Sequence, residues 1–257
     1  MMKSHIVTAR LRLAALLLLL SGFTAVSAGQ EGRPVSVAVN DPRPLASAIQ
    51  EIERQLGLVI TYEEVPWVYP PDVVDVTASV RRDGNSSQRV VIPRGGPFVC
   101  SGSLSGETSE SQAALLEGVL EQYHAQGYPG RFSLKRTGDR FHVVVSQRRD
   151  AKGVFEIVRP MLDVPVTIPT RDRTVATMIQ AIVQQVRDNT GGKVYLGLLP
   201  MNVLARARVA DGAEGESARA VLARTLAAVP RKTSWQLLCA GGVDASCYLS
   251  VLPVPGK

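Results

Sequence analysis

The stretch Leu45-Ala46-Ser47-Ala48-Ile49-Gln50-Glu51-Ile52-Glu53-Arg54-Gln55-Leu56-Gly57, followed by Leu58-Val59-Ile60-Thr61-Tyr62, decides the fold class. Leu45, Ile49, Ile52 and Leu56 recur at helical spacing, and Gly57 supplies a stop signal. The β-branched run behind it reads as a strand. Upstream, Val35-Ser36-Val37-Ala38-Val39 alternates like a strand and ends at Asn40-Asp41-Pro42. The order is therefore strand, helix, strand.

The same order returns about 130 residues later. Val164-Pro165-Val166-Thr167-Ile168-Pro169 leads into a helical pattern with Val175, Ile179, Ile182 and Val186. Gly191-Gly192 stops it, and Lys193-Val194-Tyr195-Leu196-Gly197-Leu198 follows as a strand. Beyond each strand comes a second helix and a hairpin. Ser109-Glu110-Ser111-Gln112 opens the helix bearing Leu115, Leu116, Val119 and Leu120. Glu216-Ser217 opens the one bearing Val221, Leu222 and Leu226. A serine at these starts can accept a hydrogen bond from the free N–H groups of the first turn. The hairpins are 131–135 with 141–145, turning at Thr137-Gly138-Asp139, and 234–239 with 248–252.

The expected class is α+β, with two tandem modules at 35–147 and 154–254. Each is read β-α-β-β-α-β-β, its two helices packed on one face of a small mixed sheet. The charged stretch 146–153 marks the boundary. Module one alone carries an insertion at about 64–97, with Pro66-Trp67-Val68-Tyr69-Pro70-Pro71 at one end and a polar turn at 81–87.

Pro44-Leu45-Ala46-Ser47-Ala48-Ile49, Leu56-Gly57-Leu58-Val59-Ile60-Thr61-Tyr62 and Ala113-Ala114-Leu115-Leu116-Glu117-Gly118-Val119-Leu120 together resemble the short N-terminal domain of secretins and TonB-dependent receptors. The likeness covers most of 35–147 and, more faintly, 161–253. It implies a periplasmic protein-interaction module, accessory to an envelope secretion or transport complex. The insertion around Trp67 departs from the family pattern.

The N-terminus reads as a targeting signal. Lys3, Arg10 and Arg12 precede the apolar run Leu13–Leu20, and Val26-Ser27-Ala28 offers small residues for cleavage after Ala28. A periplasmic or secreted location is expected; an uncleaved anchor is the alternative. No later stretch is long and apolar enough to span a bilayer. Removing those three basic residues from the 29 Lys+Arg leaves 26 against 23 Asp+Glu, which is not a nucleic-acid footprint. In an oxidising compartment Cys239 and Cys247 are expected to bridge the neck of their hairpin. Cys100 is left over, either as a buried thiol or as a reactive or intermolecular one.

No convergent catalytic set stands out, and neither a cofactor nor a metal is expected. His124, with Glu121 three residues before it, makes at most half a metal site, and a solvated helix face is the plainer reading. His142 alternates with Phe141 and Val143 and is expected to be exposed. Gly102-Ser103-Leu104-Ser105-Gly106 has leucine at the centre, where a nucleophile elbow needs serine. Pro66, Trp67, Tyr69 and Pro70 are the candidate interaction surface, since stiff prolines and large aromatics make inexpensive contact area. Trp67 as a plug for the first core is the competing reading, whereas Trp235 is expected in the core. The function expected is non-enzymatic protein interaction or scaffolding, with an envelope protein or a second copy as partner. A ligand binder or enzyme with a site between the modules, using carboxylates such as Glu63, Glu64 and Asp72, is the alternative.

Overall fold

The computed structural model describes residues 32–80, 89–242 and 245–255. The expected signal segment, the whole polar turn at 81–87 and the tip of the 239–247 loop lie outside them. In chain order the elements are β1 (Arg33–Asp41), α1 (Pro44–Leu56), β2 (Val59–Glu63), β3 (Val73–Asp75), α2 (Thr77–Val80), β4 (Val91–Pro93), β5 (Gly96–Leu104), α3 (Ser109–Ala125), β6 (Arg131–Thr137) and β7 (Arg140–Arg149). They continue with β8 (Phe155–Ile157), β9 (Pro165–Thr174), α4 (Val175–Thr190), β10 (Lys193–Leu196), α5 (Met201–Leu204), β11 (Arg208–Ser217), α6 (Ala218–Ala227), β12 (Thr233–Cys239) and β13 (Ser246–Pro253). The fold is mixed α+β.

The apolar spacing places the helices. Leu45, Ile49, Ile52 and Leu56 of α1 are all buried, as are Val175, Ile179, Ile182 and Val186 of α4. Gly57 and Gly191 end these helices in the left-handed conformation (φ 68° and 62°) that glycine adopts without a Cβ penalty. Ser217 caps α6 through the N–H of Ala220. On α3 the cap is Thr108, which accepts from the N–H of Ser111, so that helix begins one residue after the cap rather than at a serine cap.

Strand pairing follows the same order in both halves of the chain. β1 pairs antiparallel with β5, and β9 with β11, each as a two-stranded ribbon. β2 runs parallel to β7, which is antiparallel to β6; β10 runs parallel to β13, which is antiparallel to β12. Each pair of long helices lies between its ribbon and its three strands. Two hydrophobic clusters result, one from Val35 to Val145 and one from Leu162 to Val251.

The sheets differ from the expected pair of small separate ones. β12 pairs parallel with β2, so six strands line up as β10-β13-β12-β2-β7-β6, with β8 added beside β7. The stretch read as a boundary also changes: 146–149 continues β7, and only the turn at 150–154 interrupts the ladder before β8.

The register at the seam fixes the faces. Gln236 stands beside Tyr62, and Leu237 beside Glu63. Side chains alternate along a strand, so Trp235 and Leu237, in the second cluster, share a face with Thr61, Glu63 and His142. Tyr62 and Ile60, in the first cluster, share the other face with Ser234 and Gln236. The helices of the two halves therefore cover opposite faces of one continuous sheet.

Candidate functional site

The seam between β2 and β12 gathers most of the buried charge. Glu63, fully buried at the end of β2, accepts from the N–H of Leu162 at 2.9 Å and pairs with Arg219 on α6. Arg219 also donates through Nε to Asp163 at 2.9 Å, and Lys135 reaches Asp163 from β6. Next along the chain, Glu64 accepts from the N–H of Cys239 at 3.0 Å and from Arg43 Nε at 3.2 Å, while Arg43 donates to the carbonyl of Cys239 at 2.8 Å. Burial pushes both glutamates' carboxyls up, opposed by Arg219 and by Arg43 respectively. Each carboxylate clamps a backbone group of the second half or of the segment leading into it.

On the other face, Glu53 of α1 is 3% exposed, and among the described residues no ion pair holds it. It accepts from the N–H of Ile60 at 3.0 Å and from Ser234 Oγ at 3.0 Å. Burial raises its carboxyl to about 7, and the two donors only partly offset that. Beside it a cavity of about 510 Å³ opens between α1, β1 and the C-terminal strand, with Glu53, Gln50 and Arg54 on one wall and Leu252, Pro253 and Pro255 on the other.

His142 departs from its expected exposure. It is fully buried, its Nδ1 2.8 Å from Thr61 Oγ1 and its ring 5.2 Å from that of Trp235. Alternation did turn it away from Phe141 and Val143, but the face it points to is covered by the second half of the chain. Burial, with Arg219 and Arg140 nearby, lowers its pKa to about 3, so the ring is neutral. Trp235 is a core residue, as expected.

The other expected residues lie further out. His124 is half-buried and accepts the N–H of Phe132 at 2.9 Å, so it caps an edge strand rather than facing solvent. Among the described residues no group of three or more His, Cys, Asp or Glu side chains is arranged to hold a metal ion. Asp72 is buried and pairs with Arg149 Nη1 at 2.6 Å. Glu63, Glu64 and Asp72 thus each meet a different arginine. Cys239 and Cys247 form the disulfide, and Cys100 is buried on β5 with its thiol raised to about 11 by burial.

The four insertion residues do not share one surface. Trp67 is 2% exposed and packs on Phe132 and Gly130 in the first cluster. Pro66 and Tyr69 are half-buried, and Pro70 is exposed. Instead the insertion grips the disulfide loop: the N–H of Gly241 donates to Val91 O at 3.0 Å, and that of Gly242 to Trp67 O at 2.8 Å. Gly241 has no room for a side chain, since a Cβ would stand 2.7 Å from both Val73 and Val91.

Sequence reasoning passed over a different surface. Tyr195 and Tyr248 stand side by side on β10 and β13, 39% and 47% exposed, with Leu198 (74%) and Met201 (47%) further along the chain from β10. The signal was present in the alternation: Val194 and Leu196 point to the core, so Tyr195 must point away. Among the described residues no helix is long and apolar enough to cross a membrane. Comparison of the chain with protein-family models, curated proteins and solved structures finds no match.

Proposed function

We propose that the chain is an exported, non-enzymatic interaction or scaffold protein of the cell envelope, built from two modules akin to the short N-terminal domain of secretins and TonB-dependent receptors. The observation that carries the reading is the strand pairing of a two-stranded ribbon and three sheet strands, which recurs in the two halves and is fused through β12 and β2 into one sheet. Such an arrangement spends its buried charge on holding modules together: Glu63 on Arg219, Glu64 on Arg43 and the Cys239 backbone. It also leaves an aromatic sheet face for contact. In the cell, photo-crosslinking from Tyr248 in the exported protein tests this. An envelope protein or a second copy captured there is the expected result. Retention in the cytoplasm, or no protein captured from any exposed position, overturns it.

The cavity beside Glu53 favours a second reading, a small-ligand binder with its site between the modules. Its size falls within the range of small-molecule sites, and the buried Glu53 lies on its polar wall, facing the apolar one of Leu252, Pro253 and Pro255. Saturable binding of a small organic cation, lost in Glu53→Gln, is the outcome that would bring this reading forward.

A further inference from the structure

The sheet contains one junction between the halves and, at its two edges, both components of a second. At the internal junction β12, the last-pairing strand of one half, lies beside β2, the first sheet strand of the other. β6 is the counterpart of β12, and β10 the counterpart of β2; these are the strands that end the sheet. The covering of faces is equally one-sided. On the first half, Thr61 and His142 point away from their own helices and are completely buried beneath the second half. Their counterparts by strand register are Tyr195 and Tyr248, which stand exposed.

We propose that a second copy of this chain occupies that position, its β6 edge added parallel to β10 and its first half covering Tyr195 and Tyr248. The inference rests on the two-module reading. It commits to a second copy because the internal seam already shows which edge covers this face, and the same molecule leaves one such edge open. The contact joins two different surfaces, so it propagates head to tail rather than closing as a symmetric dimer. By the internal register, Ser133 of one copy stands beside Leu196 of the next, as Gln236 stands beside Tyr62.

The edges also limit how tightly copies join. His124 occupies the N–H of Phe132 on β6, and Arg187 donates to the carbonyl of Val194 on β10 while lying over the Tyr195 ring. Both edges carry basic side chains, although Lys135 has Asp163 as a partner and Arg136 lies 3.7 Å from Glu110. Exposed basic residues keep edges apart. Association is therefore expected to strengthen as salt screens them, the reverse of an ionic contact.

The test uses the purified full-length mature chain. Sedimentation over a concentration series is expected to show reversible growth beyond the monomer, enhanced at higher ionic strength. The double variant Leu198→Asp/Tyr248→Asp should weaken it about tenfold or more, while Ile157→Asp, at a still more exposed apolar residue on β8, leaves it unchanged. With Tyr195 replaced by p-benzoylphenylalanine, crosslinked peptides between isotopically distinct copies should map to residues 131–137. Crosslinks from Tyr195 to β10 or β13 of the other copy would overturn the proposal in favour of a symmetric dimer. A monomer at every concentration and salt would overturn it outright. Neither result touches the envelope-interaction reading, which stands or falls on the in-cell capture.

Discussion

The two outer sheet faces of this protein carry the same strands in the same order, yet one is sealed and the other bare. On the first half the face holds Thr61, Glu63 and His142, all closed under α6 and the turn at 160–164. On the second half the matching positions hold Tyr195 and Tyr248 and are open. The sealed face is polar and the open one aromatic, the opposite of a simple hydrophobic rule. The reason is that a sealed polar group is stable only when partnered: Glu63 meets Arg219 across the seam, and Thr61 meets His142 beneath it. An open aromatic needs none.

Removing one such partner should give the largest effect. Arg219→Leu leaves Glu63 buried without its cation, and breaking a buried pair from one side costs about 3–5 kcal/mol. Denaturant unfolding should show that loss, with part of it restored in Glu63→Gln/Arg219→Leu. If Arg219→Leu costs less than about 1 kcal/mol, the seam is not held by this pair.

The next effect sharpens the comparison across the seam, because two buried groups on its opposite faces titrate in opposing senses. Glu53 is raised from its ordinary 4.5 to about 7. The folded state then holds its proton where the unfolded state has released it. Its contribution is full below pH 4.5 and is lost as the pH rises through 7, a shift worth roughly 3 kcal/mol. His142 is lowered from 6.5 to about 3. The unfolded state takes up that proton first, so its contribution is full above 6.5 and falls away towards pH 3. Between 4.5 and 6.5 the two slopes oppose each other. Unfolding curves across that window should therefore be flatter for the wild type than for either variant. Glu53→Gln should gain stability as pH rises, and His142→Asn should lose it. Matching slopes in both variants would break the argument.

These effects bear on what the sequence could tell. Helix faces, hairpins and the Cys239–Cys247 bridge were legible because each depends on residues near in sequence, such as Ile49 and Ile52 or the turn at Gly138. The seam was not, because alternation assigns a residue to a face without saying what lies over that face. His142 illustrates this: its direction was right and its environment wrong. Trp67 is similar, since proline-flanked aromatics suit both a surface and the plug it forms on Phe132. The partners of Glu63 and Glu64 lie 156 residues ahead and 21 residues behind, and neither spacing carries a local pattern.

The disulfide should matter less than the buried pair, and in a manner specific to this seam. Closing a loop of this length is worth about 2–3 kcal/mol in the chain-entropy model. Cys239, however, is also the residue whose N–H and C=O are held by Glu64 and Arg43, and its loop is tied to Val91 and Trp67. Cys239→Ser/Cys247→Ser should therefore speed hydrogen exchange at Gly241 and Gly242 beyond what global destabilisation explains. Exchange that rises uniformly would mean that the bridge acts on the unfolded chain alone.

The smallest expected effect lies on the open face, and there smallness is the point. Tyr248 has half its surface in water, and it meets Tyr195 ring to ring where Thr61 and His142 share a hydrogen bond. Tyr248→Ser should change the monomer's unfolding free energy by no more than about 0.5 kcal/mol, as for most exposed sites. The same substitution at a face covered from within would cost several times that. A large loss measured on dilute protein would mean that the face is already engaged within the chain. A negligible one leaves the aromatic pair free for contact with another molecule.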